Sequence, residues 1–119
     1  MYFNNLNTVA QQMRRGMESD GGRMPANTSV VNAGDKVIAS YYAANIVTIT
    51  ANTVTVDNGG YDTRSTYKFI NKALTSIFGR RVSINTKKGK VTVSFDENTF
   101  PFDGNISFTV NEDGAKVID

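Results

Sequence analysis

Arg64, Lys68, Lys72, Arg80, Arg81, Lys87, Lys88 and Lys90 follow one another along the chain with no acidic residue among them. Basic side chains at that density can neutralise phosphates or meet an acidic protein surface, so these eight are the candidate binding residues. Arg64, Lys68 and Lys72 stand at i, i+4 and i+8, which puts them on one ridge of a helix. Lys87, Lys88 and Lys90 surround Gly89 as the tip of a hairpin would. Tyr61 and Phe69 are candidate aromatic contacts, and Tyr67 is also available for stacking. After Phe95 the sign reverses, with Asp96, Glu97, Asp103, Glu112, Asp113 and Asp119 against Lys116. A net charge of +2 therefore hides a basic middle and an acidic tail. The plainer reading of the lysines is solubility, since charged hairpin tips keep sheet edges apart.

Catalysis has little to work with. The chain has no histidine and no cysteine. That removes the usual general base, the usual nucleophile activator, the commonest metal ligand, and any disulfide or thiolate zinc site. Asp57 with Asp62, or Asp96 with Glu97 and Asp103, could hold Mg²⁺ through carboxylates. No spaced motif joins them, and turn and cap roles account for each. The Asp57-Asn58-Gly59-Gly60 loop could meet an anion ahead of a helix, but it lacks the lysine and the spacing of a phosphate loop. No catalytic residue, metal or cofactor is expected, and the chain reads as a binding protein rather than an enzyme.

The elements that must position these residues are legible in the pattern. Residues 46–50 and 53–56 are β-branched and alternate, so they form a hairpin with Val47, Ile49, Val54 and Val56 inward. The two glycines after Asn58 let the chain turn out, with positive φ expected at Gly59 or Gly60. Thr63 or Ser65 then caps a helix over about 64–78. Tyr67, Ile70, Ala73, Leu74, Ile77 and Phe78 form its apolar stripe, with Phe69 on the outer side. Gly79 stops it. Residues 81–85 and 91–95 make a second hairpin around the lysine tip. The expected fold is α+β: an antiparallel sheet with one main helix packed across it, a ββαββ core.

Additions flank that core. Leu6, Val9, Ala10, Met13 and Met17 recur at helical steps and predict an amphipathic helix over about 5–17, either docked or a mobile arm for a partner. Residues 18–29 read as a linker around Gly21-Gly22 and Pro25. The expected division is 1–29 for N-terminal helix and linker and 30–119 for a single α+β domain. Strands are expected near 29–31 and 36–42, at 105–110 with Ile106, Phe108 and Val110 inward, and at 115–118 as an edge. No apolar run is long enough to span a bilayer, no signal peptide is expected from Met1-Tyr2-Phe3-Asn4-Asn5, and no membrane partner is expected.

One segment resembles small uncharacterised proteins encoded by bacteriophages. The likeness lies in Thr53-Val54-Thr55, Gly59-Gly60-Tyr61, Thr63, Thr66, Asn71, Gly79, Val82 and Lys88-Gly89-Lys90-Val91. It covers under half of the chain and leaves both terminal regions out. It implies a phage or mobile-element origin and a host bacterial cytoplasm as the working compartment. No catalytic residue is implied by it.

Small size, the missing catalytic residue types and the resemblance together lead to an accessory protein that binds a host protein or protein complex stoichiometrically, such as an inhibitor of a host defence complex in the manner of anti-CRISPR proteins. Two alternatives are a nucleic-acid-binding module using residues 64–90, and a minor virion structural component or homo-oligomer.

Overall fold

The structure, a computed structural model, describes residues 2–18 and 21–118. Ser19 and Asp20 of the expected linker, Asp119 of the acidic tail and Met1 lie outside the described residues. Helix α1 (Leu6–Met17) is capped by Asn5, whose side chain accepts from the Asn7 and Thr8 N–H groups. Strands β1 (Thr28–Asn32), β2 (Val37–Tyr41), β3 (Ala44–Ile49) and β4 (Thr53–Asp57) follow as an antiparallel meander. Helix α2 (Arg64–Phe78) is capped by Thr63, and Gly79 at φ 60 ends it. A single 3-10 turn, Gly79–Arg81, leads to β5 (Val82–Lys87), β6 (Lys90–Phe95) and β7 (Asn98–Pro101). Strands β8 (Asn105–Asn111) and β9 (Gly114–Val117) close the chain.

The fold is α+β, as the pattern predicts, but the antiparallel strands fall into two sheets. One is six-stranded, in the order β1-β2-β3-β4-β8-β9, and the other holds β5-β6-β7. The two hairpins expected to share one core sheet are thus separated. The cause is the short joint after α2. With so little chain between Phe78 and Val82, β5 turns back along the helix, where the Ile84 N–H donates to Asn71 Oδ1 at 3.3 Å. Strand β8 takes the open place beside β4, from Thr53 against Thr109 to Asp57 against Asn105.

Helices and small sheet cover one face of the large sheet. Met13 and Met17 of α1, Ile70 and Leu74 of α2, and Val37, Ala39, Ile49 and Val54 of the sheet are all fully buried. Helix α1 is docked, with Gly16 against Ser76 of α2. Phe78, Phe95, Phe108 and Phe100 form a chain of ring contacts that ties α2 and the small sheet to β8.

Three burial expectations shift. The register slips between Ala39 and Ser40, leaving Ile46 opposite no residue of β2. This bulge turns both Ile46 and Val47 inward, where strict alternation would expose one of them. Phe69 is half-buried rather than outward, because Tyr41 packs on it at 4.8 Å between ring centres. Ile77 is only half-buried, while Thr66 is buried and bonded to Thr63 through their hydroxyls at 2.9 Å.

Both edges of the large sheet carry a charged side chain. In an antiparallel ladder, alternate residues point their backbone groups away from the neighbouring strand. At the β1 edge Arg14 Nη2 donates to the Val30 carbonyl at 2.9 Å. At the β9 edge the Asp96 carboxylate lies beside Gly114. Such cover blunts strand-to-strand addition of further chains.

Candidate functional site

The eight basic residues do not form one surface. Arg64 and Lys68 are exposed and Lys72 half-buried along the outer ridge of α2. Lys87, Lys88 and Lys90 are exposed at the β5–β6 tip, where Lys88 and Gly89 both have positive φ, 52 and 77. Arg80 and Arg81 lie at the base of that hairpin, about 17 Å from its tip by strand rise. Since β5 runs back along α2, the tip lies toward the N-terminal half of the helix. Arg64, Lys68 and the three tip lysines therefore lie toward one end of the molecule, Lys72 at the middle of α2, and Arg80 and Arg81 at the other end.

Arg81 belongs to the scaffold rather than to a binding face. Its Nε and Nη2 donate to Asp96 Oδ1 and Oδ2 at 2.7 and 2.8 Å, and its Nη1 donates to the Tyr2 hydroxyl at 2.6 Å. The guanidinium also lies 5.6 Å from the Phe95 ring centre and 5.8 Å from that of Phe78. Fork-to-fork bonding with Asp96 raises the Arg81 pKa, and the Asp96 carboxyl is held below its ordinary value chiefly by the same bonds. Asp96 and Glu97 adopt φ of 49 and 72 in the β6–β7 turn, and the Asp96 N–H donates to the Arg81 carbonyl at 2.9 Å. The pair thus joins Tyr2, the end of α2 and the small sheet, and Asp96 also lies beside Gly114 of the large sheet. Among the described residues, none of the other seven cations makes an ion pair within the chain.

Acidic neighbours also approach the lysine tip in space. Lys90 lines an open cleft with Asn58, Asp62, Tyr67, Phe102 and Asp103. The Tyr67 hydroxyl donates to Asp62 Oδ1 at 2.5 Å, and its pKa is raised first by burial and then by that bond. The bond from the phenol makes Asp62 a structural anchor for α2. Among the described residues, no three acidic side chains converge on a possible metal position.

The Asp57-Asn58-Gly59-Gly60 joint is occupied by its own side chains. The Gly59 N–H donates to Asp57 Oδ1 at 2.6 Å and the Gly60 N–H to Asn58 Oδ1 at 2.9 Å. Donors that would meet an anion already have partners. Both glycines have positive φ, 63 and 84. Gly59 also presses on Ala44, which brings the α2 joint against the β2–β3 turn.

That approach gathers aromatic residues far apart in sequence. Tyr41, Tyr42 and Tyr61 line one cleft with Thr63, Ser65 and Thr66. Tyr42 and Tyr61 are 62% and 54% exposed. Tyr61 was expected as a contact, whereas Tyr42 was not, because its stretch reads as strand. The signal for it is weak in sequence: a tyrosine followed by two alanines gives no turn chemistry, yet Tyr42 sits in a two-residue turn at φ 55.

Comparison with curated proteins and with solved structures finds no match. A family model described as Kyanoviridae Gp96 protein matches residues 6–110. The match takes in α1, the small sheet, the large sheet except β9 and the last residue of β8, the basic segment and the tyrosine cleft, far more than the central segment on which the phage resemblance was read. The chain belongs to the Kyanoviridae Gp96 family of phage proteins.

Proposed function

We propose that this phage protein acts without catalysis, by stoichiometric binding to a host protein complex, such as a defence assembly, in the host cytoplasm. The observation that carries the reading is a set of exposed or half-buried cations with no ion pair among the described residues. Arg64, Lys68 and Lys72 on α2, with Lys87, Lys88 and Lys90 at the hairpin tip, keep their charge free for a partner, whereas Arg81 is tied into the scaffold. Opposite charge on a host surface would speed and orient such an encounter.

The test is capture of host proteins by the tagged full chain, with and without nuclease. Lys68, Lys72, Lys87 and Lys88 are changed together to glutamate as the control. The reading expects a defined host complex, nuclease-resistant, bound at fixed ratio, and lost in the variant through slower association. Capture that vanishes with nuclease, together with steeply salt-dependent binding of purified DNA or RNA, supports the nucleic-acid alternative instead.

A further inference from the structure

We infer that the cleft between Tyr41, Tyr42 and Tyr61 is an anchor pocket that takes an aromatic side chain from an acidic segment of the partner; this rests on the protein-binding reading above. Tyr42 and Tyr61 are large rings left exposed side by side, although a whole hairpin separates them in sequence. They share the cleft because Gly59 has no Cβ to hold the α2 joint away from Ala44.

The pocket is preformed. The Tyr42 N–H donates to the Asn27 carbonyl at 2.7 Å, which holds the turn. The Tyr41 ring packs against Tyr42 and against Phe69, each at 4.8 Å between centres. A tyrosine at φ 55 carries a backbone penalty that glycine or asparagine would avoid. The bond to Asn27 and the contact with Tyr41 offset that penalty. Rings fixed before binding lose little freedom on contact, and tyrosine and arginine are enriched at the centres of protein interfaces.

The surroundings define the occupant. The walls are aromatic, the rim carries Thr63 and Ser65 hydroxyls, and no carboxylate lines the cleft. Arg64 follows the rim directly and Lys68 stands one turn on, its Nζ 5.8 Å from the Phe69 ring centre. An aromatic side chain flanked by carboxylates satisfies both features. A nucleic-acid strand carries a phosphate on each side of a stacked base, whereas no lysine or arginine lines the cleft itself, and Arg64 and Lys68 both belong to α2.

The experiment titrates the full-length, isotope-labelled protein, followed by amide resonances, at physiological salt. The probes are a short glutamate-rich peptide with one central tryptophan, the same peptide with alanine there, and an oligothymidylate of similar length. The tryptophan peptide should shift Tyr42, Tyr61 and Arg64 saturably. Tyr42→Gly, which suits the turn, and Tyr61→Ala should each weaken it about thirtyfold with the melting temperature kept. Equal binding of both peptides through the lysines overturns the pocket and leaves the basic-face reading standing. Failure of both peptides overturns both. Shifts of the same tyrosines by oligothymidylate alone replace the protein partner with nucleic acid.

Discussion

Gly16 of α1 lies directly on Ser76 of α2, so close that a Cβ at position 16 would overlap the Ser76 Cβ. The two helices approach here at backbone distance, and the missing side chain permits it. Gly16→Ala should therefore destabilise the protein by about 1–3 kcal/mol through overpacking, even though alanine favours helix by up to about 1 kcal/mol. Ser76→Gly in the same chain should recover much of the loss. Denaturant titration of the double-mutant cycle should give a coupling energy above about 1 kcal/mol, and additive effects would remove the contact from the account.

Gly59 and Gly60 should respond differently to the same change. Both have positive φ, so alanine strains either by about 1 kcal/mol. Only Gly59 also meets Ala44, whereas a Cβ at Gly60 enters open space. Gly59→Ala should cost at least about 1 kcal/mol more than Gly60→Ala in urea unfolding. It should also displace Tyr42 relative to Tyr61, visible as shifted side-chain resonances.

Acid should weaken the Arg81–Asp96 knot in a defined direction. The folded Asp96 pKa lies below its unfolded value because Arg81 bonds the charged form. Its contribution is fully present above the ordinary carboxylate range and is lost as pH falls through the lower, folded value. Asp96→Asn should cost about 1 kcal/mol at neutral pH, a figure reduced because the pair is 36% and 26% exposed. The same variant should flatten the decline in stability below about pH 4. An unchanged acid limb in pH-dependent denaturation would contradict this.

The stripe of α2 should be graded rather than uniform. Leu74 is fully buried, so Leu74→Ala should cost about 2–5 kcal/mol. Ile77 is half-buried and keeps some contact with water in the folded state, so Ile77→Ala should cost about half as much or less. Equal losses in thermal or chemical unfolding would show that the two positions share one environment.

The sequence by itself determined the local structure. Periodicity placed both helices, Asn5 and Thr63 cap them, and Arg64–Phe78 spans the predicted range. Glycines marked the turns because positive φ is a property of single residues, and it appears at Gly59, Gly60, Gly79 and Gly89. The basic run was equally plain, as charge is read directly from residue type. Only the tertiary structure decided what those residues meet. Pairing partners depend on chain geometry between distant elements, so β8 rather than the second hairpin lies beside β4. The Ile46 bulge breaks an alternation that local pattern assumes unbroken. Arg81 looked like its basic neighbours until Asp96 and Tyr2 came within hydrogen-bond reach. Tyr42 became a candidate contact only because Ala44, two residues on, packs against Gly59 and brings Tyr61 beside it, a proximity that no spacing along the chain encodes.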